Sequence, residues 1–350
     1  MAELKNISGA LLIDATGVFL NGFGLKNQED KNEIIPKTFR TKVNGRYEQV
    51  PYVSAQSWRR WLRDTSNQEN DWPPSEIEAI DFNAKGSTNK VSGKLNPIVH
   101  PEEDIFGYMK SGGNEKDESG KKVKVESIQR TTAFKSSILK GIPNMYAFTT
   151  DSGTVFPKNG TPLRYFTQFY STHLEGFFNL EYYRLGVYDN LGSHQELSKA
   201  LIEQHKDKFE VTDLSNNNHK QYTLKGAEKR RKENASGLLK GLAYLRGGAK
   251  QSAFGSDVSP KVLIIAGMES ANPVFNNLFI GTGEKPALNI SALKQITIDY
   301  KDKLATPVYI GIRTGYLENE EDVKKLGDGF ITGSPVSIVN QFNESYLKNE

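Results

Sequence analysis

The sequence contains no cysteine, and that absence removes disulfides, thiolate metal sites and cysteine nucleophiles together. It fits a reducing cytoplasm, the expected location. No apolar run reaches the length of a bilayer-spanning helix, and the opening MAELKNISGA lacks the pattern of a secretion signal, so no membrane partner is expected. Charge of one sign is also scarce: 45 basic residues stand against 42 acidic ones, a net +3. That is too little to mark the whole chain as a nucleic-acid binder, so any polyanion site must come from local clustering. The five histidines (His100, His173, His194, His205 and His219) keep no metal-ligand spacing. There is no G-x-S-x-G nucleophile elbow and no G-x-G-x-x-G following a strand. No cofactor, no metal and no enzymatic activity are expected; the absences favour a binding or scaffold protein.

What is present starts with length. At 350 residues, 37% hydrophobic and 25% charged, the chain can form two domains or one domain with large insertions. It is organised around residues 51–64, PYVSAQSWRRWLRD. Ser54 is a candidate N-cap, and the residues after it read as a helix. Trp58, Trp61, Leu62 and Thr65 fall on one side of that helix and Arg59, Arg60 and Arg63 on the other. One face can bury two indoles while the other offers guanidiniums to phosphate, with Ser54, Gln56 and Ser57 as neutral donors at the helix start. An ordinary amphipathic helix with a solvated arginine face fits the same pattern.

Along the chain, residues 7–20, ISGALLIDATGVFL, read as a buried central strand, closed by the turn Asn21-Gly22-Phe23-Gly24. Residues 25–49 read as a polar loop. Residues 66–101 are turn-rich and suit an insertion on a compact domain, with an apolar knot returning at 103–109. Residues 125–139 carry Arg130, Thr131, Thr132, Lys135, Ser136 and Ser137, which suits a backbone-contact strand as well as a solvent-facing edge strand. Residues 145–171 alternate aromatic and polar residues, which suits a projecting hairpin with one sticky face. A strand over 173–188, a helix over 194–209, a helix over 225–246 and a strand over 261–266 follow. Strand, helix, middle strand, strand, helix, strand is the order of a ferredoxin-like or RRM-like sheet. The tail adds strands near 292–300 and 306–313 and a last helix near 335–347.

Residues 225–251 hold the densest basic cluster, ending in Arg246-Gly247-Gly248-Ala249-Lys250-Gln251. Glycines there let backbone N–H groups approach an anion, with Arg246, Lys250 and Gln251 around it. The loop is not a P-loop, and glycines after a helix are more often a plain C-cap. Asp14 in the first strand reads as structural, and Glu29 and Asp30 as solvated loop charges.

These pieces resemble the DevR branch of the CRISPR-associated backbone subunits (the Cas-seven superfamily) of type I Cascade complexes, in a type I-B-like form. The resemblance rests on Phe19-Leu20-Asn21, Val53-Ser54-Ala55-Gln56-Ser57-Trp58-Arg59-Arg60 with Arg63, Phe106-Gly107-Tyr108-Met109, and Gly248-Ala249-Lys250-Gln251 leading to Asp257-Val258-Ser259-Pro260, and it covers about residues 4–268. It implies an α+β fold: an RRM-like (ferredoxin-like) palm from residues 1–66 and 173–268, a finger insertion at 67–108, a thumb β-hairpin at 145–172, and a C-terminal extension, 269–350, packed on the palm. It implies a subunit that oligomerises head to tail along CRISPR RNA and presents the guide to target DNA, partnered by its own copies and other Cascade subunits. By motif, Ser54, Gln56, Arg59, Arg60 and Arg63 grip the RNA backbone, Met109 wedges beside a displaced base, and Lys250 with Gln251 closes the groove. Where some relatives carry a cation after the strand-ending Leu-Asn, this chain has Gly22, and Lys26 is the candidate replacement beside Asn21. Arg130, Lys135, Ser57, Arg246, Gly247 and Gly248 complete the expected RNA-binding set. The alternatives are a type III-like backbone ribonuclease with Asp30 in its active loop, and a standalone RNA-binding regulator.

Overall fold

The computed structural model describes residues 2–25, 33–82, 86–116, 122–125, 127–214, 219–281 and 283–349. Lys26 and Asp30 lie outside the described residues. Packing divides the chain into two units, one of residues 1–65, 136–179 and 239–342, the other of residues 66–135, 180–238 and 343–350.

The first unit is built on a twelve-stranded mixed sheet. Its centre is Asn6–Val18, whose Ile7, Leu11, Leu12 and Ile13 are fully buried, as a run apolar on both faces requires. Across the sheet the order is Phe330–Gly333, Val308–Ile312, Pro260–Met268, Asn6–Val18, Leu163–Leu180, Leu139–Gly141, Arg46–Val53 and Thr38–Val43. Asn6–Val18 runs antiparallel to Pro260–Met268, in register from Asn6 opposite Met268 to Leu12 opposite Val262. The outer pair, Val308–Ile312 and Phe330–Gly333, is parallel. Ala147–Val155 folds back on Leu163–Leu180 as a long hairpin, paired from Ala147 opposite Ser171 to Val155 opposite Leu163. The expected strand near 292–300 is instead the helix Ile290–Asp299. Its Ile and Thr content suggested a strand, but Leu293, Ile296 and Tyr300 share a helical stripe in the core, and the Asn289 side chain caps the Ala292 N–H at 3.0 Å.

In the second unit, the segment Glu78–Phe82 pairs with Thr88–Ser92, and Tyr108–Lys110 with Ile128–Arg130. A four-stranded sheet runs His194–Gln195, Val187–Leu191, His219–Leu224, Phe209–Leu214. The expected helix over 194–209 shrinks to Lys199–Gln204, because His194–Gln195 is held as a strand and Ser198 starts the helix by accepting from the Leu201 N–H at 3.2 Å. The helix Ala227–Ala243 contributes its residues to 238. Gly237 lies against an indole: a Cβ there would stand 2.4 Å from Trp72 Cζ2.

Three consecutive acids, Glu102, Glu103 and Asp104, are almost wholly buried in the helix Pro101–Phe106. The sequence reads this stretch as an apolar knot; it is a knot of carboxylates. Glu102 accepts from the Asn67 side chain and the Ser75 N–H. Glu103 accepts from the Ser75 hydroxyl and from the N–H groups of Leu95 (3.0 Å) and Asn96 (2.5 Å). Asp104 accepts from Arg130 Nη2 at 2.7 Å, the Gly186 N–H at 3.1 Å and Asn234 Nδ2 at 3.0 Å. Arg130 is sealed from solvent: its Nη1 also donates to Glu196 at 2.6 Å and to the Val187 carbonyl at 2.9 Å, and it lies over the Tyr188 ring at 4.5 Å. Burial alone would lower the Arg130 pKa, but Asp104 and Glu196 hold it well above its ordinary value. Each buried charge is met by a hydrogen-bonded partner, the condition under which such a network is tolerated.

Removing one partner leaves the other charge buried and uncompensated, so Asp104→Ala should lower the unfolding free energy by about 3–5 kcal/mol. Denaturant unfolding of the two chains measures this, and an unchanged midpoint would contradict the assigned role of the network.

Candidate nucleic-acid interface

The helix Ala55–Glu69 begins where Ser54 Oγ accepts from the Ser57 N–H at 3.3 Å, with the two serine hydroxyls 2.8 Å apart. Its apolar side is fixed by Trp58, fully buried, whose indole N–H donates to the Ser137 carbonyl at 2.7 Å, and by the buried Leu62. The arginines therefore emerge on the other side, with Gln56 exposed beside them. They are not idle. Arg59 is half-buried, donates to Ser136 Oγ at 3.3 Å, and burial lowers its pKa from the usual guanidinium value. Arg60 pairs with Asp64 one turn on, at 2.8 Å, with both side chains about half exposed, and Arg63 also has a partner within the protein. An exposed i,i+4 pair of this kind is worth about 0.3–0.5 kcal/mol. It is readily exchanged for a phosphate oxygen.

The loop Arg246 to Gln251 is tied to three other parts of the same unit. The Arg246 N–H donates to Thr65 Oγ at 3.1 Å, and that hydroxyl donates to the Trp61 carbonyl at 2.8 Å. Gly247 lies on the Trp61 indole, where a Cβ would stand 2.2 Å from Cγ. Gly248 has a positive φ of 104° beside Leu20, and the Ala249 N–H donates to the Leu20 carbonyl at 2.8 Å. The Lys250 ammonium donates to Thr167 Oγ at 3.0 Å and lies 5.2 Å from the centre of the Phe19 ring. Gln251 reaches back to the Gly247 carbonyl. Phe254 then packs on Phe19 and Phe169, ring centres 6.4 and 5.5 Å away. The glycines thus serve close approach to an indole and a strand end. Of the amides in the loop, that of Ala249 is committed to the Leu20 carbonyl.

Asn21 follows Leu20 directly and is buried, yet neither its side-chain oxygen nor its nitrogen has a hydrogen-bond partner among the described residues. A buried polar group left so costs about 1–3 kcal/mol. The first unit thereby brings together Asn21, Ser54, Gln56, Ser57, Arg59, Arg60, Arg63 and the loop with Arg246, Gly247, Gly248, Lys250 and Gln251.

The second unit holds the others. Met109 is exposed on Tyr108–Lys110, and Lys135 pairs with Glu181 at 2.5 Å with its own side chain half exposed. Arg130 departs from its expected role: with no exposed side-chain surface and two carboxylate partners, it leaves nothing for RNA to touch. Sequence reasoning missed Asp64, although its i,i+4 spacing from Arg60 was a usable signal. It also missed Thr167, whose contact with Lys250 joins residues far apart in the chain and has no local signature. Among the described residues no group of three or more metal-ligating side chains is gathered, and no helix is long and apolar enough to cross a membrane.

No protein-family model matches the chain, and no curated protein matches it by sequence. Solved structures do match by shape. A chain of a structure described as a CRISPR RNA-guided surveillance complex superposes with a TM-score of 0.51 at 13% identity, covering 97% of this chain and 99% of that one. A chain of a CRISPR RNA-guided surveillance complex in a pre-nicking state gives 0.52 at 11% identity, again over 97% and 99%. At such identities the likeness concerns the fold, and it runs essentially end to end: this chain has the fold of subunits found in CRISPR RNA-guided complexes.

Proposed function

We propose that the chain is a non-enzymatic backbone subunit of a type I, I-B-like Cascade, of the DevR branch, working in the cytoplasm. Copies line up head to tail along CRISPR RNA, join other Cascade subunits, and present the guide for pairing with target DNA. The observation that carries this reading is the junction of the first unit, where the arginine helix, the end of the first strand and the G-A-K-Q loop lock together around exposed or half-exposed cations. A filament on RNA needs contacts that ignore base identity, and guanidiniums, hydroxyls and an amide on a fixed frame provide them.

Two further features support it. The central strands Pro260–Met268, Asn6–Val18, Leu163–Leu180 and Leu139–Gly141 lie in that order, as in an RRM-like palm, with the first and third strands in the middle. The hairpin beyond residue 147 ends in Val155, Phe156, Leu163 and Tyr165, all exposed, an apolar tip suited to a thumb that meets a neighbouring copy. In this reading residues 67–108 form the finger and Met109 the wedge beside a displaced base.

Replacing Arg59, Arg60 and Arg63 together with alanine should reduce the slope of log affinity against log salt by about 2 for unrelated guide RNAs, at about 0.7 per lost phosphate contact. A slope equal to that of the unmodified chain would place those side chains outside the interface.

Replacing the hairpin tip, residues 155–163, by a short glycine-serine turn should leave binding to a short oligonucleotide nearly intact, since the cations stay in place. It should erase evenly spaced nuclease protection on a long guide. Protection that keeps its period would show that the hairpin is not the thumb.

A further inference from the structure

The basic stretch after residue 225 is largely neutralised along its own helix: Lys229 pairs with Glu233 at 3.9 Å and Lys232 with Glu228 at 3.2 Å. Lys225 and Arg230 are not. With Lys208 they line a cavity of about 360 Å³ in the second unit, completed by Ile98, Leu224 and Asp207. Three cations therefore face one carboxylate, and among the described residues none of the three has an ion pair.

Their positions are set by the backbone. The Lys225 N–H donates to the Lys208 carbonyl at 2.9 Å, which places the two exposed ammonium-bearing residues side by side. Arg230 is less exposed and is held by two neutral acceptors, Nη2 donating to the carbonyls of Pro97 (3.4 Å) and Ile98 (3.1 Å). Those carbonyls fix the guanidinium without cancelling its charge. Its Nε is buried and has no acceptor among the described residues. Hydrogen bonds to charged groups are among the stronger ones, and a charged donor left in a partly desolvated site is costly. An anion in the cavity supplies the missing counter-charge.

The lining also states what kind of anion. Ile98 and Leu224 offer no aromatic face on which a base could stack. Two flexible ammoniums at the rim and one fixed guanidinium match a phosphate diester approached from solvent. We propose that this cavity binds a backbone phosphate of a single-stranded nucleic acid, independently of base sequence, as a contact separate from the arginine helix. The inference uses none of the residues of the proposed RNA grip, so each can fail without the other.

The test uses the intact chain, a labelled single strand of mixed sequence, and the salt dependence of its affinity. Lys208→Ala with Lys225→Ala, both exposed, should lower the slope by about 1.4, two contacts at about 0.7 each, and Arg230→Gln should lower it further. An unchanged slope in the lysine variant overturns the site, whatever the arginine-helix variant does. A loss in the lysine variant beside a normal arginine-helix variant upholds this site and removes the other reading. Inorganic phosphate serves as the second probe, with the NMR signal of Arg230 Nε–H as readout. A signal moved by the strand supports the proposal; one moved by inorganic phosphate but not by the strand overturns it.

Discussion

The hydrogen bond from the Trp58 indole to the Ser137 carbonyl, at 2.7 Å, is the constraint from which the rest of the interface follows. It fixes the rotation of Ala55–Glu69 about its axis. With Trp58 and Leu62 turned into the core, Trp61 is left at the edge of the buried face, where Gly247 can lie flat against it. That contact brings the Arg246 N–H to Thr65 and sets the loop so that the Ala249 N–H reaches the end of the first strand. Lys250 then arrives at Thr167 and Phe19. A helix rotated by one residue, about 100°, would turn Trp58 away from Ser137 and lose this hydrogen bond.

The two units handle charge in opposite ways. In the second, three acids and a guanidinium are buried and satisfied almost completely, which makes Arg130 a structural residue despite its sequence context. In the first, three cations of the helix and loop have exchangeable partners: Arg60 a neighbouring carboxylate on the surface, Arg59 a serine hydroxyl, Lys250 a threonine hydroxyl. The physical difference is desolvation. A buried pair resists exchange because breaking it strands a charge, while a surface pair has little to lose.

Much of the site was legible in the sequence because it is local. The Trp-Arg alternation of residues 58–63 gives the two faces of a helix, and the apolar run after Asn6 gives the central strand. What was not legible depends on partners distant in the chain. Nothing near Arg130 announces that Asp104 and Glu196 will enclose it, so a basic residue among threonines read as a surface contact. The spacing of the loop glycines leaves a cradle and a helix C-cap both open, and it cannot show that Trp61 lies against Gly247. Residues 290–299 read as a strand by composition, and only the burial of Leu293 beside Ile296 and Tyr300 decides for a helix.

The central claim is that one face of the first unit, from Ser54 to Arg63 and from Gly247 to Gln251, lies against guide RNA. Ultraviolet cross-linking of the chain assembled on a defined CRISPR RNA, read by mass spectrometry of the cross-linked peptides, tests it most directly. The account predicts cross-links in peptides carrying residues 54–63 and 246–251, and none on the buried Arg130. RNA cross-links confined to other surfaces, with both of those peptides unmodified, would contradict it.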